Sequence, residues 1–509
     1  MPKMMISVRA LVFLGLCHAG WRSLASGPEL RDPPKRIAVI GAGIGGTATA
    51  YFLRQEFGAA VKIDVFEPGT VGGRLATQNI GGHEYETGGA VIHPLNLHMK
   101  HFLDRLGLSQ RTDVPGKMAI FDGKEIIFEE SDWFIVNFLR LLWRYGFNFL
   151  RMQMWVESVL DKFMRIYQYQ QFGYSFTSVE KLLHAMGGDS FLTLSNQTLE
   201  EAMLGEGFSQ SFLNEVVAPI TRVNYGQSVR ISGFAGAVAL AGADSGLWAV
   251  DGGNKKVCSG LLYHSKVDLI QARVTAVSVK QRQSKAGTTA SLYEVNYVGD
   301  SGSAHSLYDI VFVATPLHQG KSDVAFSGFS PPIPSQYPGR YLQTVTTLVH
   351  GRLNVSYLGT SEKPSAFSVS EVLTTDAKGS VINSLSSIDP VHVPPGYSRP
   401  PASVDKVWKV FSPQPLSQQQ LRAMFLSWDS TSEVKWQAYP SYSAPSRAAP
   451  PFILHDRLYY LSPVEWAASA MEMSAISARN LALLAHHRWH YQPGRMDQED
   501  LHTRLRGEL

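Results

Sequence analysis

Cysteine is scarce in this sequence, which has two in 509 residues, Cys17 and Cys258. Cys17 lies in the first 25 residues, which read as a signal peptide, so the mature chain is expected to keep one thiol and no internal disulfide. With 44% hydrophobic and 11% aromatic residues, the chain does not need a disulfide to build large cores. Its length predicts two or three domains.

Charge is also sparse. Charged residues make up 17% of the chain and the net charge is +3, with no dense Lys/Arg run and no zinc-ligand spacing. This composition argues against a nucleic-acid partner. The 16 histidines are scattered, and His93 and His98 are five residues apart, off one helical face. We therefore expect no metal site.

No apolar run reaches the roughly 20 residues that a spanning helix needs. The N-terminus instead has Lys3 and Arg9 followed by a mostly apolar stretch at 10–19, with small residues at 17–19 and 23–25. This pattern predicts a signal peptide over residues 1–25, with an uncleaved anchor as the alternative. Sequons at Asn196 and Asn354 predict glycosylation sites and fit a secretory route.

One stretch contains the elements of a nucleotide-binding unit in order. Residues 37–40 are apolar, a G-x-G-x-x-G pattern begins at Gly41, residues 47–57 have a helical pattern, and a second apolar run at 61–66 ends on Glu67. Strand, glycine turn, helix, strand and acid in this order are typical of the dinucleotide-binding βαβ unit. A lone glycine pattern also occurs without a ligand, but here every part is in place.

Each residue of this unit has a physical task. Gly41 allows a sharp turn, Gly43 lets the backbone approach a pyrophosphate, and Gly46 lets the helix pack closely on the strand. The helix N-terminus offers unpaired N–H groups to the phosphates. Glu67, 26 residues after Gly41, is placed to accept hydrogen bonds from a ribose 2′-hydroxyl, which disfavours NADP.

Two further glycine pairs follow. Gly72 and Gly73 close a second turn, and Arg74 after them is predicted to reach phosphate oxygens. Gly88 and Gly89 supply another place where only backbone is present.

At this point the sequence resembles a known family. The runs GAGIGGTATAYFLRQEFG, FEPGTVGGRLAT and YETGGAVIHPLNLHM resemble the flavin amine-oxidase superfamily and, in detail, the prenylcysteine oxidase family. The resemblance implies FAD as cofactor and an α/β fold, with a glutathione-reductase-like, Rossmann-type FAD-binding domain and an inserted α+β substrate-binding domain. It places the FAD-binding domain at 35–110, 225–318 and 450–490, and the substrate-binding domain at 111–224 and 319–449.

The same resemblance implies further site residues. Val274 would contact the adenine through its backbone, and a helix late in the chain would direct its N-terminus at the flavin pyrimidine. The usual Gly-Asp or Gly-Glu before that helix is missing, and Glu465 stands in for it. No catalytic side chain is assigned, and Lys255 is a weak candidate for holding a water or tuning the flavin. Cys258 is expected to be a buried apolar residue rather than a nucleophile.

The implied activity is oxidation of the thioether in farnesyl- or geranylgeranylcysteine, in the lysosome or after secretion. Hydride leaves the allylic carbon beside sulfur for flavin N5, the sulfur lone pair stabilises the cation, and water adds. The hemithioacetal then collapses to cysteine and a prenyl aldehyde, and oxygen becomes hydrogen peroxide. An oxidase of another substrate, such as an amine, and a non-catalytic lipid-binding flavoprotein remain alternatives.

Residues 131–170 have the most unusual composition, with three Trp and regularly spaced arginines. They predict a pair of long amphipathic helices, with Ser131 or Asp132 as N-cap. Their apolar faces fit a core, the wall of a tunnel for a long apolar substrate, or a surface that rests on a membrane or lipoprotein. Just before them, residues 121–125 predict a hairpin turn.

Overall fold

The computed structural model describes residues 32–243, 246–283, 289–361, 363–445, 449–499 and 501. The predicted signal peptide, residues 1–25, and Cys17 lie outside the described residues.

The strands of this part of the chain follow one another in short and long segments. They are β1 (Arg36–Ile40), β2 (Lys62–Phe66), β3 (Thr77–Ile80), β4 (His83–Glu86), β5 (Lys117–Phe121), β6 (Ile126–Glu129), β7 (Asp268–Ile270), β8 (Ala272–Gln283), β9 (Thr289–Gly299), β10 (Gly302–Tyr308), β11 (Ile310–Val313), β12 (Ala325–Ser327), β13 (Tyr341–Leu353), β14 (Val369–Thr374), β15 (Ser384–Ser387), β16 (Lys406–Ser412), β17 (Phe425–Pro440), β18 (Ile453–His455) and β19 (Leu458–Tyr460).

The α-helices are concentrated between the strands β6 and β7. They are α1 (Ile44–Phe57), α2 (Leu97–Arg105), α3 (Phe134–Tyr145), α4 (Asn148–Phe163), α5 (Arg165–Gln171), α6 (Val179–Gly187), α7 (Asp189–Asn196), α8 (Leu199–Gly205), α9 (Gln210–Phe212), α10 (Ala218–Tyr225), α11 (Gly233–Ala241), α12 (Lys255–Ser265), α13 (Gln418–Met424) and α14 (Met471–Trp489). A π-helix (Leu213–Val217) joins α9 to α10, and 3-10 turns lie at Val355–Leu358, Ser462–Trp466 and Pro493–Arg495.

A six-stranded sheet in the order β18-β19-β11-β1-β2-β7 forms the centre of the first unit. β19, β11, β1, β2 and β7 run parallel, and β18 is an antiparallel edge. Parallel strands of this kind are covered on both faces, which explains their apolar sequences. α1 packs between α12 and α14 over one face, and the four-stranded sheet β10-β9-β8-β12 packs over the other. This arrangement is the α/β fold class predicted from the sequence.

A seven-stranded sheet in the order β17-β13-β16-β15-β14-β5-β6 forms the second unit. Ile120 and Leu373 on one of its faces pack with Leu141, Phe149 and Leu213 of the helices. Its strands all come from ranges that we predicted for the substrate-binding domain. α11, from a range predicted for the FAD-binding domain, packs against α4, α7 and α8. The domain boundaries remain a prediction.

Local predictions before this helical region have two outcomes. The hairpin turn is confirmed, since β5 and β6 pair antiparallel around residues 122–125. The predicted N-cap is wrong, because α3 begins after Trp133 without a side-chain cap. Ser131 is held instead by Asn137, whose side chain bonds both the Ser131 N–H and its carbonyl oxygen.

The expected pair of helices at 131–170 is a set of three. Gly146 has φ +59° and ends α3, and Met164 separates α4 from α5. Among the helices in the described ranges, none is long and apolar enough to cross a membrane.

Candidate cofactor and substrate site

The first glycine turn joins β1 to α1. Gly41 has φ +105°, where residues with a Cβ are strained, and a Cβ on Gly46 would lie 1.9 Å from the Gly41 carbonyl oxygen. Gly43 is different, because its φ is −72° and an added Cβ would find its nearest protein atoms 3.8 Å away. The fold itself therefore requires glycine at 41 and 46 but not at 43. The open space at Gly43 suits a ligand that approaches the backbone closely.

The N-terminus of α1 is open to an anion. Gly43 is its N-cap, no side chain caps it, and no acidic residue occupies the first turn. The first N–H groups of a helix lack intrahelical acceptors and carry a partial positive charge. A pyrophosphate fits this end of α1.

Glu67 lies beside the same turn. Its carboxylate accepts hydrogen bonds from the Ala42 N–H at 3.0 Å and the Gly69 N–H at 2.9 Å, and its own N–H donates to the Ile270 carbonyl of β7. These bonds hold the acid at the carboxyl end of β2. The structure thus brings Glu67 and the first glycine turn together, as a ribose site requires.

The second and third glycine pairs close around the first. The Gly72 N–H donates to the Ala42 carbonyl at 3.0 Å, and a Cβ on Gly73 would lie 3.2 Å from the Gly43 Cα. The Gly89 N–H donates to the Arg74 carbonyl, and a Cβ on Gly88 would lie 1.8 Å from that same oxygen. Three passes of the chain distant in sequence therefore meet as nearly bare backbone.

Thr87, next to the third pair, connects this cradle to the second unit. Its carbonyl oxygen accepts hydrogen bonds from the Thr346 hydroxyl at 2.9 Å and the Trp436 indole N–H at 3.0 Å. Thr346 lies on β13 and Trp436 on β17, so the seven-stranded sheet forms the far wall of the site.

Arg74 and Glu465 form one ion pair. Nη2 of Arg74 lies 2.8 Å from Oε1 of the buried Glu465, and Nη1 donates to the Ala438 carbonyl at 2.6 Å. Burial by itself would lower the pKa of Arg74, but the charge of Glu465 outweighs it and the pKa is raised. Tyr341 donates to the other Glu465 oxygen at 3.2 Å. Contact of either residue with the cofactor stays a prediction.

The pair has two buried basic neighbours that sequence reasoning missed. Lys321 donates to the Gln437 carbonyl at 2.6 Å, and burial, aided by the charge of Arg74, lowers its pKa to about 8. Burial lowers the pKa of His318 to about 4, and neither ring nitrogen has a hydrogen-bond partner within the described part of the chain. Both residues follow the end of β11, but no local pattern distinguishes them from ordinary loop residues.

Lys255, the weak catalytic candidate, has a more open setting. It is the first residue of α12, half-buried, and its amine donates to the Thr77 hydroxyl at 2.6 Å and lies 3.7 Å from Glu84. Its Cβ lies 3.3 Å from the position of a Cβ on Gly72, so it borders the cradle. Cys258 on the same helix is fully buried, and burial raises the pKa of its thiol to about 12, which confirms that it is no nucleophile.

Val274 lies near the start of β8, two strands from Glu67. Its side chain is buried with Ala38 and Phe66, and Gln271 just before it donates to the Gly69 carbonyl at 2.9 Å. The segment therefore reaches the ribose end of the cradle. Contact of its backbone with adenine stays a prediction.

The last predicted element is the N-terminus of α14. Ala470 is its N-cap without a side-chain bond, and Met471 lies near Gly89. Glu472 is in the first turn but turns away, accepting hydrogen bonds from the His98 and Met99 N–H groups at 2.7 and 3.0 Å. The helix end is left free beside the third glycine pair, where the flavin pyrimidine was predicted.

These residues fit an adenine dinucleotide. The open space at Gly43, the uncapped start of α1 and the fixed Glu67 carboxylate suit pyrophosphate and ribose. The residues at Gly43 and Gly46 that hold FAD would do so through backbone, whereas Glu67 would do so through its carboxylate. Within the described residues, no group of His, Cys, Asp or Glu could hold a metal ion.

Two family models match the chain. One is described as "Prenylcysteine lyase" and matches residues 128–498, and the other is described as "NAD(P)-binding Rossmann-like domain" and matches residues 39–106. The second match covers the first glycine turn and Glu67.

Full-length relatives and a solved structure are also similar. "Prenylcysteine oxidase 1" of Mus musculus is 51% identical over 504 residues, covering 99% of this chain and 98% of the relative. "Prenylcysteine oxidase 1" of Homo sapiens is 52% identical over 501 residues, covering 98% and 97%. Cyclohexylamine oxidase from Brevibacterium oxydans, at 14% identity and a TM-score of 0.55, covers 89% of this chain and 99% of its own. This last likeness concerns the fold alone.

Proposed function

This chain belongs to the prenylcysteine lyase family, and from that membership we propose that it is an FAD-dependent oxidase of farnesyl- or geranylgeranylcysteine. The observation that carries the proposal is the combination of full-length identity to prenylcysteine oxidases with a cradle that fits FAD. The reaction converts the thioether, water and oxygen into cysteine, a prenyl aldehyde and hydrogen peroxide. It would serve the degradation of prenylated proteins.

When bound, FAD supplies the two-electron oxidation of the carbon beside sulfur, and oxygen takes up the two electrons. The residues of the chain bind, orient and exclude water. The Thr346 and Trp436 hydrogen bonds to Thr87 hold the sheet against the glycine pairs, so the reacting carbon lies in a walled site. The sulfur lone pair stabilises the cation at that carbon, so this step needs no side chain as a base. Lys321, with its pKa near 8, is placed to hold the water that adds next.

The test is an anaerobic titration of the purified flavoprotein with farnesylcysteine. We expect the visible flavin band to bleach and farnesal and cysteine to form in equal amounts. S-dodecylcysteine, which lacks the alkene beside the reacting carbon, is the matched control and should bleach the band far more slowly. Bleaching by an amine but not by farnesylcysteine would indicate an amine oxidase. Binding of farnesylcysteine without any bleaching would indicate a lipid carrier, and either result overturns the proposal.

A membrane surface is the second part of the proposal. On α3, Ile135, Leu139 and Trp143 recur every four residues and are 68%, 55% and 84% exposed, and Phe147 beyond its end is 69% exposed. The opposite face, with Leu141, packs into the core. An apolar surface of this kind facing outward fits lipid better than the inner wall of a tunnel.

Charge supports the same partner. Arg140 and Arg144 are exposed beside the apolar residues, and α3 contains no acidic residue. Arginines near an apolar face can reach lipid phosphates while Trp143 enters the interface. A prenylcysteine, being largely apolar, would then reach the enzyme from the bilayer.

Vesicle co-sedimentation tests this surface. The double variant Leu139→Ser and Trp143→Ser should lose binding to vesicles of phosphatidylcholine with phosphatidylserine, while turnover of farnesylcysteine in detergent remains. Leu426→Ser, at a residue 58% exposed on β17, is the matched control and should bind as the wild type does. Equal binding of all three proteins would exclude this face, and binding to lipoprotein particles instead of vesicles would redirect the assignment.

We propose the lysosome, reached through the secretory pathway, as the location. Support comes from the sequence over residues 1–25 and from the exposed Asn196, whereas the Asn354 amide is half-buried and donates to the Ala423 carbonyl at 2.9 Å. In cells, Asn196→Gln should lower the glycosidase-sensitive mass, and the protein should co-fractionate with lysosomal markers. Recovery of an unglycosylated protein from the cytosol would contradict this route, and recovery from the medium would indicate secretion.

A further inference from the structure

Two opposite charges lie on one face of the seven-stranded sheet. Ser386 on β15 is directly opposite Lys409 of β16 on one side and Glu371 of β14 on the other. Directly opposed residues in neighbouring strands point to the same face. Lys409 and Glu371 therefore flank Ser386, one strand away on each side and about 10 Å apart at the backbone.

This face looks toward the cofactor unit. Leu348 on β13 is directly opposite Lys409, so it shares the face, and it packs with Ile80 and Tyr85 of the β3–β4 hairpin. Glu86 follows Tyr85 in the hairpin. The sheet face and the end of β4 thus enclose a common space with charged groups on both walls.

Glu86 has one oxygen without a partner. The side chain is 4% exposed, and Oε1 accepts a hydrogen bond from the Asn254 N–H at 2.7 Å. Oε2 is buried and has no hydrogen-bond partner among the described residues. A buried carboxylate oxygen left in this state is costly unless something else donates to it.

The charges around this space are not paired with one another. Lys409, Glu371, Glu86 and Arg111 form no ion pair within 4.0 Å of one another, yet the charges of Lys409 and Arg111 act on Glu86. Burial raises the pKa of Glu86 to about 7 and that of Glu371, and it lowers the pKa of Lys409. Glu371 is nonetheless reached by solvent, so it lines an open cavity and not a packed core.

The space adjoins the third glycine pair. Glu86 is followed by Thr87, whose carbonyl oxygen binds Thr346, and Thr346 is two residues before Leu348 on β13. The charged space is therefore one row of the sheet away from the wall of the cofactor site. A ligand in this space would have its next few atoms at that site.

We propose that this cavity binds the α-ammonium and α-carboxylate groups of the prenylcysteine substrate. Glu371 and the free oxygen of Glu86 accept from the ammonium, and Lys409 and Arg111 donate to the carboxylate. A ligand that carries both charges a few ångströms apart satisfies separated anionic and cationic walls at once. The inference rests on the proposed function, since it assigns the part of that substrate which is not the prenyl chain. It makes Glu371 and Lys409 specificity-determining residues that do not touch the reacting carbon.

Chemical changes in the substrate can be crossed with changes in the protein. Steady-state oxidation is measured with farnesylcysteine, its N-acetyl derivative and its methyl ester. For the wild type, N-acetylation should lower kcat/KM about 10- to 100-fold, as expected for loss of a charged hydrogen bond, and most of the loss should be in KM. Glu371→Gln should lower kcat/KM for farnesylcysteine by a similar factor, and N-acetylation should then cost this variant less than about threefold.

Lys409 is tested against the carboxylate in the same way. Lys409→Met should raise KM for farnesylcysteine about 10-fold or more and remove the preference for the free acid over the methyl ester. Lys406→Met is the matched control, because Lys406 is equally buried, 9% exposed, and lies three residues away on the opposite face of β16. The control should keep the preferences of the wild type.

Flavin content and the melting temperature are measured for each variant, so a folding defect is recognised. Equal loss for all three substrates in Glu371→Gln and Lys409→Met would overturn the assignment, because a structural role does not depend on the substrate's head group. Equal use of the three substrates by the wild type would overturn it too. Failure of the wild type to oxidise any of them would refute the proposed function instead, and the two failures are distinguishable.

Discussion

Gly43 and Gly46 are three residues apart but are glycine for different physical reasons. A Cβ on Gly46 would collide with the Gly41 carbonyl, whereas one on Gly43 would meet no protein atom closer than 3.8 Å. Gly46→Ala should therefore destabilise the protein with or without FAD, by about 1–3 kcal/mol or more. Gly43→Ala should leave the free energy of unfolding of the apoprotein within about 0.5 kcal/mol and weaken FAD binding. Denaturant titration and FAD titration measure the two effects.

Gly205→Ala is the control for these variants, because its φ is not positive and no atom lies within 4 Å of the added Cβ. It should change neither quantity. If Gly43→Ala destabilised the apoprotein as much as Gly46→Ala, the space at Gly43 would be needed by the fold and not by the dinucleotide.

The ion pair between Arg74 and Glu465 gives a second prediction. Removing one member of a buried pair leaves an uncompensated charge, so Glu465→Gln should cost about 1–3 kcal/mol of stability, reduced because Arg74 is one-third exposed. The double variant with Arg74→Met should be more stable than Glu465→Gln alone. A denaturant-based double-mutant cycle measures the coupling.

The exposed pair of Lys435 and Glu433, 3.4 Å apart, is the matched control. Glu433→Gln should cost no more than about 0.5 kcal/mol. A cycle for Arg74 and Glu465 that is additive would show that the two charges do not stabilise each other.

Sequence reasoning reaches some of these residues and not others for a physical reason. Gly41, Gly43 and Gly46 are recognisable because their tasks depend on neighbours a few residues away. Arg74 and Glu465 were each predicted to contact the cofactor, but their contact with each other joins positions 391 residues apart. Lys321 was missed because its lowered pKa comes from burial by distant segments.

Among the elements, α14 and α2 are tied together by one carboxylate. Glu472 accepts from two N–H groups of α2 and from the Tyr167 hydroxyl at 2.7 Å, and burial raises its pKa to about 7. A carboxyl whose folded pKa exceeds its unfolded value near 4.5 binds more protons when folded. Its contribution to stability is therefore complete below about pH 4.5 and is lost as the pH rises through 7.

Glu472→Gln should remove this pH dependence. The difference in unfolding free energy between wild type and variant should shrink by up to about 3 kcal/mol from pH 4.5 to pH 8, at about 1.4 kcal/mol per pKa unit. Denaturant unfolding across this range measures it, with Glu157→Gln, at an exposed residue of α4, as control. A difference that grows with pH would show that the hydrogen bonds to Glu472 outweigh its burial.

Element-level predictions succeeded where the signal was local. The turn at 121–125 is confirmed because its residues dictate a reversal by themselves. The cap of α3 was wrong because Asn137, six residues inside, bonds Ser131 and takes it away from the helix end. Which face of α3 packs inward was left open, because amphipathic spacing does not say what covers the apolar side.

At the scale of the whole molecule, the order of the seven-stranded sheet was beyond prediction. β5 and β6 come before the helical region, yet β5 pairs with β14, more than 240 residues later in the chain. Such pairing leaves no periodic signal, since each strand is short and mixed in composition. The first sheet was foreseeable in outline because the βαβ unit fixes the positions of β1, α1 and β2.

The site is built from both units, so FAD should stabilise the whole molecule. The glycine pairs come from the first unit, while Ala438, Thr346 and Trp436 contribute from strands of the second. A ligand that binds only the folded state stabilises it by RT ln(1 + [L]/Kd), about 2.7 kcal/mol at a hundredfold excess over Kd. The apoprotein should therefore melt at a lower temperature, in one transition that shifts upward with added FAD.

Glu67→Gln tests whether this stabilisation passes through the predicted ribose contact. Gln keeps one acceptor for the Ala42 and Gly69 N–H groups but loses the charge and the second oxygen, so the stability of the apoprotein should change by no more than about 1 kcal/mol. FAD should bind about 10- to 100-fold more weakly, because a charged hydrogen bond to the ribose is lost. The upward shift of the melting temperature at fixed FAD concentration should shrink in proportion to the lost affinity. Glu157→Gln should keep the full shift, and a Glu67→Gln protein that also keeps it would place the ribose elsewhere.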